Sequence, residues 1–301
     1  MRRPTPTGRR SIIERSREGP PLMSSAQSLA QVRPRTAGPL SCLEHRADSS
    51  SIVVFLHGLG LDAHDFVDYL AHHEAQHGIA VTLHGFDPGP QQAFPPVALS
   101  THIAMTADAL AAVAAENPGK RIVLVGFSLG ADLVLQLAEF WAQHRSRAVP
   151  IESAVLLDPN VNQSTMMISR LFAAADPADP NPTFERLRET AQDPDAERAL
   201  AEYLSKIGSK DFAQLQQLSR DVLAYWPTSG YRRLGERLAT VADFAATTRV
   251  FLSAPYAEHL PGMTAAVPSP AATTVSFELT ALDHFGLISN ESLSAFLSHA
   301  L

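Results

Sequence analysis

The run Arg121-Ile122-Val123-Leu124-Val125-Gly126-Phe127-Ser128-Leu129-Gly130 constrains this chain most, because an apolar strand passes directly into Gly-x-Ser-x-Gly and then into a helix. Four consecutive apolar residues without polar alternation suit a central parallel strand covered on both faces. Leu133, Val134, Leu137, Ala138 and Trp141 follow at helical spacing. A serine at so sharp a strand-to-helix turn sits in a strained backbone with its hydroxyl pushed out of the sheet. The positions two before and two after it must then be nearly free of side chain. Gly126 and Gly130 meet that demand.

Strand and helix signals alternate along the rest of the chain. Residues 40–46 read as a short edge strand, and Ser51 to Leu56 as a buried one leading into His57-Gly58-Leu59-Gly60. A helix of about four turns is expected from Ala63 to His77. A strand from Ile79 to Leu83 follows, broken over Phe86 to Pro90. An alanine-rich helix from Leu99 to Glu116 is stopped by Asn117-Pro118-Gly119, and a buried strand at Ala154 to Leu157 ends in Asp158-Pro159. From about 161 to 246 the pattern becomes three or four charged amphipathic helices with no strand, broken at Asp176 to Pro182, Gln192 to Pro194 and Trp226 to Gly230. Strands resume at Arg249 to Ser253 and Thr273 to Thr280, and Ser292 to Leu301 closes the chain as a helix. This order predicts an α/β fold, a doubly wound and mostly parallel sheet with a helical insertion.

A length of 301 residues with 45% apolar composition suits one large domain with a substantial core. A net charge of -7 without a basic stripe argues against a nucleic-acid partner, and no apolar run approaches membrane-spanning length. The single cysteine, Cys42, fits a reducing compartment, so a cytoplasmic location is expected. Residues 1–39 are arginine-rich among Pro, Ser, Thr and Gly, and read as a disordered basic tail ahead of a domain spanning 40–301. Arg9-Arg10 is followed by charge where an export signal needs an apolar stretch, and Met23 is a second candidate for the natural start.

Three landmarks in this order resemble the α/β-hydrolase superfamily over about 40–301. They are His57-Gly58-Leu59-Gly60, Gly126-Phe127-Ser128-Leu129-Gly130, and Leu282-Asp283-His284-Phe285 after the last strand. Within that superfamily the chain is most similar to thioesterases of the polyketide and peptide-synthetase kind. Those enzymes place the acid after the strand that follows the nucleophile strand, carry a helical lid before the next strand, and often end in a His-Phe pair. The resemblance implies a serine hydrolase that opens an acyl ester or thioester through an acyl-enzyme, which water or an internal hydroxyl or amine then releases. It implies no cofactor and no metal, and a small-molecule or carrier-bound acyl substrate. A carboxylesterase or lipase is the enzymatic alternative. A non-catalytic ligand-binding protein on the same fold is the alternative of another class.

A serine hydroxyl needs a base within hydrogen-bond reach, and His284, on a loop after the final strand, is the best placed of twelve histidines. By resemblance, His57 shapes the oxyanion loop and packs beneath the site, and the oxyanion hole uses the backbone N–H groups of Leu129 and Leu59, with Gly60 as the alternative to Leu59. The acid must orient the histidine from a strand's carboxyl end. Asp158 is preferred, Glu258 is the alternative, and Asp283 ranks third because adjacent loop side chains seldom face each other. His73-Glu74-Ala75-Gln76-His77 matches the zinc-protease pattern H-E-x-x-H, yet no third ligand follows at a suitable spacing and the segment reads as the end of a helix. In the helical insertion, Met166, Met167, Leu171, Phe172, Leu223, Tyr225 and Trp226 are expected to line an acyl pocket, to pack the insertion onto the sheet, or both.

Overall fold

The computed structural model describes residues 31–87, 95–191 and 194–298. The expected tail up to residue 30 with Met23, the breaks at 88–90 and 192–193, and the chain end at 299–301 lie outside the described residues. Eight strands form one sheet: β1 Arg33–Ala37, β2 Leu40–His45, β3 Ser51–Leu56, β4 His77–Thr82, β5 Arg121–Phe127, β6 Ile151–Leu157, β7 Ala245–Leu252 and β8 Val275–Leu279. Their spatial order is β1-β2-β4-β3-β5-β6-β7-β8. The β1–β2 and β2–β4 pairings are antiparallel and all the others parallel. Every side chain of β3 is buried, as are those of β5 after Arg121. Continuous apolar runs are what strands covered on both faces require. The connection from β3 runs to one side and the connection from β4 crosses to the other. A crevice therefore opens at the carboxyl ends of β3 and β5, the usual ligand position in such sheets.

The helices are α1 Val67–His72, α2 Leu99–Glu116, α3 Leu129–Gln143, α4 Met167–Ala174, α5 Asn181–Arg188, α6 Pro194–Ile207, α7 Phe212–Tyr225, α8 Arg232–Ala242, α9 Leu260–Ala266 and α10 Asn290–Leu297. Among the described residues no helix is long and apolar enough to cross a membrane. The helix expected over Leu99 to Glu116 has those bounds, while three other expectations need correction.

The sheet begins before residue 40, because Arg33–Ala37 is a strand joined to β2 through Gly38 at φ +53°. Arg35 is not tail charge, for it pairs with Glu44 at 3.0 Å and with Glu116 at 2.6 Å. The helix expected from Ala63 to His77 is a short 3₁₀ turn over Ala63–Phe66 followed by α1, which ends by His73. The chain must leave the helix there to begin β4 at His77, and Gly78 lies so close to Leu70 that a Cβ would come within 2.4 Å of it. The helical stretch also divides. Its last helix, α8, packs on α3 and β7, covering the sheet, so the insertion proper ends near residue 231.

Candidate active site

The turn after β5 has the strained geometry that the glycine spacing predicts. Ser128 adopts φ +52°, ψ −115°, a region side-chain-bearing residues rarely enter. Its N–H donates to the Leu157 carbonyl at 2.8 Å, which holds the turn against β6. A Cβ on Gly126 would lie 2.5 Å from the Gly130 carbonyl oxygen, and one on Gly130 would lie 2.1 Å from the Leu56 carbonyl oxygen. Both glycines are therefore demanded by close backbone approach. Leu129 is the first residue of α3, where a backbone N–H has no intrahelical acceptor.

Asp158 occupies the corresponding place at the end of β6. Its backbone is also left-handed, φ +45°, a conformation short polar residues tolerate best after glycine. Its N–H donates to the Phe251 carbonyl at 2.9 Å, so the residue is pinned to β7. The carboxylate is fully buried and accepts three hydrogen bonds: Ser253 N–H at 2.7 Å, Ser253 Oγ–H at 2.5 Å, and His284 Nδ1–H at 2.8 Å. With Nδ1 so engaged, the His284 Nε2 is left to the cavity that His284 lines together with Ser128. The imidazole packs against the Phe127 ring, centroids 4.6 Å apart. Glu258 is elsewhere: its side chain is 82% exposed and its ion-pair partner is His259, at 3.6 Å. Asp283 lines the cavity but accepts from its own loop, from Gly286 N–H at 2.6 Å. Ser253 is a supporting residue that sequence reasoning missed. Nothing in the local pattern marks it, because its value lies in ending β7 beside Asp158.

The loop after β3 is held from below and from above. His57 is fully buried; its Nδ1 donates to the Gly58 carbonyl at 2.7 Å and its Nε2 accepts from Leu83 N–H at 3.0 Å. Burial lowers its pKa, in keeping with a neutral ring bonded on both nitrogens. From above, Tyr203 of α6 donates its hydroxyl to the Leu59 carbonyl at 2.9 Å. Lys210, just after α6, pairs with Asp62 at 2.6 Å and donates to the Phe86 carbonyl at 2.7 Å. Leu59 and Leu129 both line the cavity beside Ser128.

That cavity has a volume of about 460 Å³ and runs from Ser128 into the helices that follow β6. Met166 and Met167 line it; Leu171, Phe172, Leu223, Tyr225 and Trp226 do not. They pack elsewhere, Phe172 within the insertion and Tyr225 and Trp226 against α8 and α3 beneath it. Phe172 forms an aromatic cluster with Phe184 and Phe212 at centroid distances of 6.2 and 5.9 Å. The Arg237 guanidinium stacks over Tyr225 at 3.2 Å and over Trp226 at 4.5 Å. Leu171 and Leu223 pack against the core. Trp226 Nε1–H donates at 3.1 Å to Asp132 in the first turn of α3, which also accepts from Asn160 Nδ2–H at 2.5 Å. Burial pushes the Asp132 carboxyl up to about 7. The cavity wall is instead built by residues the periodicity did not single out, among them Leu200, Tyr203 and Phe285.

The two histidines of the H-E-x-x-H segment part company. His73 ends α1, with its Nε2 at 2.9 Å from the Ser294 hydroxyl, whereas His77 opens β4 between Glu44 at 2.7 Å and Lys120 at 3.1 Å. The lysine donates to His77 Nδ1, so that lone pair is taken. The pattern needs both rings on one helix face. The helix stops before the second.

A profile of the alpha/beta hydrolase family matches residues 53–292. No curated protein is significantly similar in sequence. A solved lipase-esterase related protein from Clostridium acetobutylicum superposes with a TM-score of 0.59 and 14% identity, covering 90% of this chain and 100% of its own. A thermophilic esterase from Thermogutta terrifontis gives 0.59 and 17%, covering 90% and 99%. An AqdC variant, solved in a study of recognition and ring-cleavage of the Pseudomonas quinolone signal, gives 0.64 and 15%, covering 89% and 98%. At these identities the likeness is one of fold.

Proposed function

The chain belongs to the alpha/beta hydrolase family, and on that footing we propose that it is a serine hydrolase that cleaves an acyl ester or thioester through Ser128, His284 and Asp158. One observation carries the reading: a fully buried Asp158 holds His284 Nδ1 at 2.8 Å in the cavity that contains the strained Ser128. His284 Nε2 takes the Ser128 proton as Oγ attacks the carbonyl carbon. The N–H groups of Leu129 and Leu59 receive the negative charge that develops on the carbonyl oxygen. The carbon–oxygen or carbon–sulfur bond then breaks, and the leaving alcohol or thiol takes the proton from His284. Water, deprotonated by the same ring, attacks the acyl-Ser128 ester and frees the acid and the serine. Asp158 keeps Nδ1 protonated throughout and stabilises the imidazolium.

The position of the acid directly after β6 supports the thioesterase-like arrangement over one with the acid after β7. A carboxylesterase acting on small or medium acyl esters uses the same atoms, and the size of the cavity favours it, since such a volume suits a free small molecule. The reaction asks for no cofactor, and a cytoplasmic location agrees with the single cysteine.

A fluorophosphonate probe is expected to label Ser128 alone. Ser128→Ala should lose the label and reduce turnover of a p-nitrophenyl acyl ester by about three or more orders of magnitude. Labelling at another serine, or full turnover by the variant, sinks the assignment; absence of both label and turnover in the native chain leaves a ligand-binding protein. A panel of matched acyl oxyesters and thioesters decides between the two enzymatic readings.

A further inference from the structure

The cavity follows one face of α6 away from Ser128. Ala196, Ala199, Leu200 and Tyr203 all line it, and their spacing places them on a single stripe of the helix. The stripe is graded. At its carboxyl end Tyr203 bonds the Leu59 carbonyl and lies 5.1 Å from the Phe285 ring, next to His284. At its amino end the side chains are single methyl groups. Tyr203 lies seven helical steps beyond Ala196, about 10 Å along the axis. A straight alkyl chain advances about 1.25 Å per carbon–carbon bond, so that length holds about eight carbons.

Charge narrows the ligand further. Among the described residues that line the cavity there is no Lys or Arg, and its carboxylates, Asp158 and Asp283, stand at the His284 end. An anionic group carried to the alanine end would therefore meet no counter-charge in the wall. Ile168 of α4 and Leu187 of α5 add apolar wall to the cavity, which the Thr190 side chain also lines.

We propose that the α6 stripe receives one straight, uncharged acyl chain of about eight carbons, with Ala196 and Ala199 leaving room for its far end. The proposal rests on the reading that Ser128 attacks the acyl carbonyl. Its test separates binding from chemistry. In Ser128→Ala protein, calorimetry with methyl butanoate, methyl octanoate and the monomethyl ester of octanedioic acid should show the octanoate binding about tenfold or more tighter than either of the others. Ala196→Leu and, separately, Ala199→Phe should each narrow the octanoate-to-butanoate ratio by about tenfold. The same variants with Ser128 intact should shift the ratio of kcat/KM for the octanoyl and butanoyl p-nitrophenyl esters in the same direction. Melting temperatures identify which variants are folded, and either one suffices.

Equal affinity for butanoate and octanoate, tight binding of the terminal carboxylate, or variants that leave the ratio unmoved overturn the α6 assignment. Persisting turnover in Ser128→Ala overturns the nucleophile instead, and the binding series still reads the stripe.

Discussion

At Asp158 two demands meet in one residue. The backbone there is left-handed, which glycine would satisfy more easily, yet the carboxylate must accept three hydrogen bonds in a buried site. Asparagine keeps the shape but turns an amide N–H₂ toward donors. Asp158→Asn should therefore lower kcat by about two to four orders of magnitude, by removing the charge and favouring the wrong histidine tautomer. It should also cost about 1–3 kcal/mol of stability, because Ser253 or His284 then faces a donor. Glu258→Gln should change kcat by less than about tenfold, since its side chain lies in solvent. Ester kinetics and urea unfolding of the two variants check both statements; reversed kinetic penalties would move the acid to the segment after β7. The choice between these carboxylates was open in the sequence because both follow strand signals, and a hydrogen bond across 126 residues has no local pattern.

The element scale shows why some boundaries were legible. The elbow strand and α3 follow from apolar runs and two glycines, and the bounds of α2 follow from alanine richness and an Asn-Pro-Gly stop. The residues before His77 carried a helical apolar stripe as well, but Phe66, Tyr69 and Leu70 already satisfy it, and the stretch beyond them must pair with β3. Propensity yields there to sheet closure. Glycine substitutions separate the two kinds of constraint. Gly130→Ala forces a Cβ to 2.1 Å from the Leu56 carbonyl, so α3 must lift from the sheet, and a loss of about 2 kcal/mol or more is expected. Gly119→Ala meets nothing within 4 Å and carries only the left-handed penalty, about 1 kcal/mol. Denaturant midpoints of the two variants should fall in that order; equal midpoints would mean that the elbow relaxes freely.

For the whole molecule, the amino-terminal boundary has a measurable consequence. A chain that begins after Gly38 loses β1, uncovers Ala37's place in the core and leaves the edge of β2 unpaired. Its melting temperature should lie several degrees, about 4 °C or more, below that of a chain that begins at residue 31. Equal melting temperatures would return residues 33–37 to the tail. Read alone, the sequence determined the fold class and the strand-to-helix turn at Ser128, and it put His284 forward as a candidate on the loop after the last strand. Each of those rests on short-range rules: side-chain periodicity, backbone sterics at glycine, and the fixed hand of strand connections. The tertiary structure decided which carboxylate meets His284, that Ser253 supports it, which insertion residues line the cavity with Ser128 and which pack away from it, and that Arg33–Ala37 joins the sheet. Those depend on which strand ends and helix faces are brought side by side, and proximity in space between residues far apart in the chain leaves no trace in the spacing of either segment.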